Sequence, residues 1–280
     1  MSALSLGLCA ALAWAIHDLC LRYVSQRAGI LPALAVVLLT GALLVLPVAA
    51  WVGAWQDMSG TALVASLLTG LAFAVASVGL YKAFQIGPVG LVAPVIGAYP
   101  VLSLALAGIE GDPVRATDWA AALVVIAGIT VVAVLGRDSR SGGSRIVALA
   151  WAVLGATGFA LTFAVGQYAT RITGELPVLA IARLAAIAVI VPLALRTIDP
   201  MRGIIRHMPL LLLMGALDAL ALGAVMIAAP LDHPEFAAVG ASAFGILTIL
   251  LARMVLGERM APGQWGGVVL AFTAIGYLGL

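Results

Sequence analysis

Two ionisable side chains lie deep inside strongly apolar stretches of this sequence, where an isolated charge is costly. Asp218 is ten or eleven residues from both ends of its stretch, which as a helix would place it near the middle of a bilayer. A carboxylate at that depth could bind a substrate cation, carry a proton or hold two helices together. Arg183 lies about two turns into its own stretch. It could bind a substrate carboxylate, form a structural pair or snorkel to the interface.

A second polar group lies near the end of the first apolar stretch. His17 could relay protons because imidazole titrates near neutral pH, although it could also be a packing residue. Asp18 and Arg22 are spaced i, i+4, which predicts a local ion pair along one helix face. Asp218 and His17 are therefore the candidates for proton coupling.

Aromatic side chains deep in the same stretches could either pack in the core or line a pocket. A ring face attracts a cation within about 6 Å, which would suit an amine or a quaternary ammonium group. Together with an acid and a base, these rings favour a small cation or zwitterion, such as an amino acid or a derivative, as the ligand. The predicted substrate-binding residues are Trp14, Tyr81, Tyr99, Phe159, Phe163, Arg183 and Asp218.

The composition places these residues in a membrane. Hydrophobic residues make up 64% of the 280 residues and charged residues 9%, whereas a soluble domain carries about 25% charged residues. A spanning helix needs about 20 apolar residues, and the apolar runs lack the alternation of barrel strands. We therefore predict an all-α integral membrane protein with ten transmembrane helices. The ten runs are 2–23, 31–52, 60–82, 88–109, 118–136, 146–168, 177–196, 207–229, 235–256 and 263–280.

The two halves of the chain repeat each other. Gly29-Ile-Leu-Pro-Ala-Leu-Ala35 and Gly174-Glu-Leu-Pro-Val-Leu-Ala180 lie 145 positions apart, measured from residue 29 to residue 174. Each half holds five helices, and because five is odd the second copy must enter the membrane from the opposite side. We predict two inverted five-helix repeats, 1–136 and 146–280, joined by a polar linker at 137–145. The same offset pairs Trp14 with Phe159, Tyr23 with Tyr168, Pro32 with Pro177, Pro47 with Pro192 and Gly70 with Gly215.

Lysine and arginine residues are distributed unequally between the predicted loops. With the N-terminus outside the cytoplasm, eleven of the 14 basic residues face inward and only Arg115 and Arg171 face outward, with Arg183 inside a span. The positive-inside rule applies to loops this short. Both termini are therefore predicted to be non-cytoplasmic, in the inner (plasma) membrane of a bacterium.

Several stretches resemble the EamA-type transporters of the drug/metabolite transporter superfamily. The resembling residues are Ala11-Leu-Ala-Trp14, Tyr81-Lys-Ala-Phe84, Gly87-Pro-Val-Gly-Leu-Val-Ala-Pro94, Tyr99-Pro-Val-Leu102, Val255-Leu-Gly-Glu258 and Gln264-Trp-Gly-Gly267. The resemblance covers the whole chain and implies ten helices in two inverted halves that export a small metabolite. The sequence departs from the pattern at Gly108-Ile-Glu110, where Ile109 splits a Gly-Glu pair. Relatives are also expected to hold both termini in the cytoplasm, which is the reverse of the charge count.

The sequence thus predicts a secondary transporter that moves a small organic metabolite by alternating access. Export is the direction that the resemblance implies, and protons are a candidate driving ion. A facilitative uptake carrier is one alternative. An intramembrane enzyme that uses Asp18 and Asp218 as a carboxylate dyad is another, although neither residue lies in a Gly-x-Gly-Asp context. A channel is disfavoured because single polar residues on different helices do not form the repeated rings of a pore.

The remaining expectations concern cofactors and partners. The sequence contains no Walker-type motif and no His-Glu-x-x-His motif, so we expect no enzymatic activity, no cofactor and no metal. The expected partners are the lipid bilayer and a small-molecule substrate, with no nucleic acid. One chain holds both predicted repeats, so a monomer would suffice, and a dimer stays open.

Overall fold

The structure is a computed structural model that describes residues 2–99, 101, 102, 105, 115–135, 142–197, 201–227, 240, 241, 243–258 and 260–278. Within these residues the chain is helical and forms no β-strand. The helices are α1 (Ala3–Ser25), α2 (Ile30–Val52), α3 (Gly60–Ile86), α4 (Val89–Gly97), α5 (Ala116–Leu135), α6 (Gly142–Thr173), α7 (Glu175–Arg196), α8 (Met201–Arg206), α9 (Met208–Ile227), α10 (Phe244–Leu251) and α11 (Pro262–Leu278). A 3₁₀ turn at Trp55–Asp57 precedes α3, and a π-turn at Ala252–Leu256 continues α10.

Apolar helices of membrane-spanning length dominate the described residues. Six of them are long and apolar enough to cross a membrane, at Ser5–Ser25, Ile30–Val52, Gly60–Ile86, Ser144–Thr173, Glu175–Arg196 and Met208–Val225. Two shorter apolar helices occupy Ala116–Val132 and Phe244–Leu256. The all-helical class predicted from the sequence is confirmed, and the count of ten spans stays a prediction.

The differences from the predicted runs are local. Helix α4 covers only the first part of the run 88–109, in which residues 100, 103, 104 and 106–109 lie outside the described part. Residues 110–114, including Glu110, also lie outside it. Helix α6 begins at Gly142, inside the predicted linker. Helix α10 begins at Phe244, and residues 228–239 also lie outside the described part.

Local sequence sets the helix ends. The hydroxyl oxygen of Ser59 accepts a hydrogen bond from the backbone N–H of Ala62 at 3.1 Å, which caps α3. Gly174 alone separates α6 from α7, and its φ of 84° lies in a region that favours glycine. The chain can therefore reverse direction within one residue at this junction.

Small residues allow the helices to approach closely. Gly158 of α6 packs against Ala76 of α3, and a Cβ on Gly158 would lie 2.7 Å from the Cα of Ala76. Gly128 of α5 and Gly267 of α11 face each other in the same way. Helices in lipid associate closely where small residues let their backbones approach each other.

Eight helices surround a central cavity. Helix α1 packs against α9 and α10, α2 against α7 and α9, α3 against α6 and α7, and α4 against α6 and α10. Helices α5 and α11 pack mainly on each other, and none of their described residues lines the cavity. The cavity wall is therefore drawn from both halves of the chain.

Candidate substrate site

The central cavity has a volume of about 350 Å³, which lies within the usual range for small-molecule sites. Its wall contains all the residues predicted from the sequence to bind substrate, together with His17. Most of the wall is apolar, and the polar side chains are concentrated in a few places. This combination of a largely apolar wall and a few polar groups is typical of a small-molecule site.

An ion pair in the wall joins α7 to α9. Nη2 of Arg183 donates to Oδ2 of Asp218 at 2.5 Å, and the Arg183 side chain is only 1% exposed. The two charges compensate each other, which lets a membrane interior tolerate them. Arg183 therefore does not snorkel to the interface. A structural pair is observed, and a direct role in substrate binding stays a prediction.

Two neighbours determine where the guanidinium lies. A Cβ on Gly41 of α2 would lie 2.5 Å from Nη1 of Arg183, so α2 has room for the guanidinium only because this residue is glycine. The ring centroid of Phe73 lies 5.7 Å from Cζ of Arg183, within the range of a cation–π contact. Together with Asp218 on α9, these contacts from α2 and α3 fix the position of the guanidinium.

Three polar atoms near this pair have no hydrogen-bond partner among the described residues. They are the hydroxyl of Tyr81 and the Nε and Nη1 atoms of Arg183. Tyr81 is 2% exposed and Arg183 is 1% exposed. An unpartnered buried donor costs about 1–3 kcal/mol. The site therefore favours a ligand that brings a hydrogen-bond acceptor, such as a carboxylate.

His17 and Asp18 form a second polar pair in the wall. Nδ1 of His17 lies 3.1 Å from Oδ1 of Asp18, and both side chains are buried. The ion pair predicted between Asp18 and Arg22 is wrong. Arg22 instead donates to Glu258 at 3.0 Å and to the carbonyl of Phe84 at 2.6 Å. These partners lie where three chain segments end together, and a sequence spacing within one helix cannot reveal them.

Aromatic rings form another part of the wall. The ring centroid of Tyr99 lies 5.0 Å from that of Phe163, and Phe163 stacks with Phe159 at 6.5 Å. Phe159 in turn meets Phe73 edge-on at 6.3 Å. Rings at these distances attract one another and hold a rigid apolar surface. Of the predicted aromatic residues, this cluster brings together Tyr99 from the segment after α4 and both Phe159 and Phe163 from α6, and Phe73 of α3 extends it.

Sequence reasoning did not select several wall residues, among them Asp18, Phe73 and Phe244. Asp18 was assigned to a local ion pair, although its position beside His17 was available as a signal. Phe73 aligns with Asp218 in the repeat, so the repeat itself could have identified it. Phe244 meets Trp14 edge-on at 6.2 Å, and nothing in the sequence marked it.

The cavity reaches one end of the helix bundle and stops before the other. Thr170 and Glu175, at the junction of α6 and α7, belong to its wall. Toward the opposite end the wall stops at Asp18 on α1 and at Tyr81 on α3. Arg22 lies about one helical turn beyond Asp18. Among the described residues, the cavity is therefore accessible from the end that carries the α6–α7 junction.

Apolar helices around a largely apolar cavity with buried polar groups define an integral membrane protein with a candidate small-molecule site. Residues 1–134 match the model of the EamA-like transporter family. This match places residues 1–134 in the EamA-like transporter family, within the drug/metabolite transporter superfamily, and over those residues it confirms the resemblance seen in the sequence.

The chain can also be compared with curated proteins and with solved structures. No curated protein matches the chain significantly. A solved structure described only as "Crystal structure of protein" matches with a TM-score of 0.67, covering 98% of this chain and 94% of that chain at 16% identity. At this identity the similarity shows the fold alone.

Proposed function

We propose that this protein is a secondary transporter that carries a small organic metabolite across the membrane by alternating access. The observation that carries the proposal is the central cavity, whose wall holds all seven residues selected from the sequence alone. The family match supports a membrane transporter of the drug/metabolite type. The seven proposed substrate-binding residues are Trp14, Tyr81, Tyr99, Phe159, Phe163, Arg183 and Asp218.

The proposed architecture is a pair of inverted five-helix repeats, and the helix contacts support it. The offset of 145 pairs α1 with α6, α2 with α7 and α3 with α9. The α3–α6 contact therefore corresponds to α9–α1 and the α3–α7 contact to α9–α2, and all four contacts occur. A Cβ on Gly70 would collide with the carbonyl of Ala182, and a Cβ on Gly215 with the carbonyl of Val37. These two contacts are related, residue for residue, by the offset of 145. Two related bundles that rock about a shared site would give alternating access.

The proposed substrate is an amino acid, an amine or a related zwitterion or cation. The faces of Trp14 and Tyr99 suit a cationic group. The unpartnered donors of Arg183 and Tyr81 suit a carboxylate. Within the proposed class, the unpartnered donors favour a compound that carries both a cationic group and a carboxylate over a simple amine.

The proposed orientation has both termini outside the cytoplasm, because the basic residues are concentrated on the other side. In that orientation the α6–α7 junction faces away from the cytoplasm, and so does the accessible end of the cavity. The end that carries Arg22 and Glu258 then faces the cytoplasm. Export across a bacterial inner membrane is the direction that fits the family resemblance.

The contacts of the two carboxylates favour a transporter over an intramembrane enzyme. A carboxylate dyad requires two acids that share a proton or a water. Here Asp18 is bonded to His17 and Asp218 is bonded to Arg183. Facilitative uptake is the second candidate function. A facilitative carrier would transport equally well with and without a pH gradient, whereas transport by a proton-coupled carrier would depend on the gradient.

The test of this proposal is uptake of a labelled panel of amino acids and amines into proteoliposomes, with and without an imposed pH gradient. Wild type is compared with Asp218→Asn, and Asp57→Asn is the matched control because Asp57 is exposed outside the cavity. We expect transport by wild type and by the control, and at least a tenfold loss in Asp218→Asn, because Arg183 would lose its counter-ion. The proposal fails if wild type transports none of the panel, or if Asp218→Asn transports as well as wild type.

A further inference from the structure

The two carboxylates in the cavity wall have partners of different kinds. Asp218 accepts from Arg183, whose positive charge is permanent. A proton added to Asp218 would leave that charge buried without a counter-ion, and breaking a buried pair in this way costs about 3–5 kcal/mol. Asp218 is therefore poorly suited to take up and release protons.

Asp18 has a partner whose charge depends on a proton. Its Oδ1 lies 3.1 Å from Nδ1 of His17, so Nε2 is the ring nitrogen left to exchange a proton. With a neutral imidazole the pair carries one negative charge, and one further proton makes it neutral. We infer that the His17–Asp18 pair is the proton-binding site of this transporter, an inference that rests on the proposed function.

The exchange of the proton follows from this geometry. From the side to which the cavity is accessible, a proton binds to Nε2 of His17 while Nδ1–H donates to Asp18. After the cavity has become accessible from the other side, the same nitrogen releases the proton there. One proton is taken up and one is given up in each cycle, and Arg183 and Asp218 keep their charges throughout.

No permanent counter-ion is directed at Asp18 within the described part of the chain. Besides the pair itself, the titratable groups of α1 are Cys9, Cys20, Arg22 and Tyr23. Those of α3 are Tyr81 and Lys82, and that of α9 is Asp218, which is paired with Arg183 of α7. The described residues of α2 and α10 carry no such group. The two arginines are held by carboxylates, and Lys82 donates to Gln85 at 3.3 Å. The charge of the pair is therefore set mainly by the proton itself.

The first test needs no substrate. Carbon-13-labelled histidine signals of the whole protein in lipid nanodiscs are followed from about pH 5 to pH 8, the range in which imidazole titrates, and His17→Gln assigns the signal. We expect His17 to gain one proton over this range, and its titration curve to change in Asp18→Asn but not in the control Asp57→Asn. A His17 ring that keeps one protonation state throughout, or a curve that Asp18→Asn leaves unchanged, overturns the inference.

The second test separates coupling from transport. For the panel compound that wild type transports best, accumulation driven by a pH gradient is compared with exchange against the same unlabelled compound at equal pH. We expect Asp18→Asn and His17→Gln to lose at least tenfold in accumulation and to keep exchange, with Asp57→Asn keeping both. Accumulation that persists in either variant overturns the inference.

Loss of exchange in these variants also overturns it, because the pair would then belong to substrate binding. Failure of the proposed function is recognised separately. In that case wild type transports none of the panel, and the titration of His17 in the first test still decides whether the pair binds a proton.

Discussion

Arg22 and Glu258, separated by 236 positions in the sequence, form an ion pair in which Nε of Arg22 lies 3.0 Å from Oε1 of Glu258. The other carboxylate oxygen of Glu258 accepts the backbone N–H of Val89 at 2.8 Å. Nη1 of Arg22 donates to the carbonyl of Phe84 at 2.6 Å. These bonds join the ends of α1 and α3, the start of α4 and the segment after α10. They therefore tie four segments together at the end of the bundle that the cavity does not reach.

Breaking this ion pair is expected to open that end of the bundle. Hydrogen bonds to charged groups contribute about 1.5–3 kcal/mol, so Arg22→Gln should raise access to the cavity from this side by about tenfold or more. Access is measured as the rate at which a membrane-impermeant thiol reagent modifies Ser77→Cys, a cavity-wall position, after Cys9 and Cys20 have been replaced by alanine.

The matched control exchanges the two charges. Arg22→Glu combined with Glu258→Arg should lower the labelling rate part of the way back. Recovery is partial because Val89 and Phe84 lose their bonding partners. A labelling rate that is the same in wild type and in Arg22→Gln would show that the ion pair does not close this end.

The buried pair of Arg183 and Asp218 is expected to behave differently when one or both members are replaced. Replacing one member leaves the other charge without its counter-ion and should cost about 3–5 kcal/mol of stability. Arg183→Met combined with Asp218→Leu should recover most of that stability, because no charge is left, but should not recover transport. Unfolding in detergent for the single and double variants gives the coupling energy. Additive effects of the two single variants would contradict the account.

Gly41→Ala is expected to displace Arg183 without removing any charge. The new methyl group would lie 2.5 Å from Nη1, so the guanidinium must shift from its present position beside Asp218, and transport should fall by at least tenfold. Gly223→Ala is the matched control, because a Cβ on Gly223 of α9 meets nothing within 4 Å. Equal transport by the two variants would mean that the position of Arg183 does not matter.

Gly158→Ala tests the packing of α3 against α6. A Cβ there would lie 2.7 Å from the backbone of Ala76, so the helices must separate at a cost of about 1–3 kcal/mol. Gly276→Ala in α11 meets nothing within 4 Å and should be neutral or slightly stabilising, since alanine favours a helix by up to about 1 kcal/mol over glycine. Thermal unfolding in detergent compares the two. A Gly158→Ala variant as stable as wild type would contradict the close contact.

The sequence predicted the helical class and the residues of the cavity wall for a simple physical reason. In so apolar a chain, every polar or charged side chain inside a run is an exception that lipid does not tolerate. Asp218, Arg183 and His17 were found in this way. The repeat added Trp14 and Phe159 as counterparts, and both line the cavity.

The pairing of the charges could not be predicted in the same way. The spacing of Asp18 and Arg22 favoured a local pair, but the partner of Arg22 is Glu258, which lies in the other half of the chain. The choice of ion-pair partner depends on which helix ends lie next to each other in the fold. Likewise, the contact between Arg183 and Asp218 requires α7 and α9 to be adjacent to α2, and a single sequence does not specify that arrangement.

Counterflow in proteoliposomes is the measurement that tests the central claim, a carrier with one cavity that is accessible from alternate sides. Vesicles are loaded with an unlabelled compound from the amino acid and amine panel, and uptake of the same labelled compound is followed without any imposed gradient. A carrier should show several-fold faster uptake into loaded vesicles than into empty ones, and Gly41→Ala should lose this uptake. Uptake that is indifferent to the internal compound would contradict alternating access and indicate a channel.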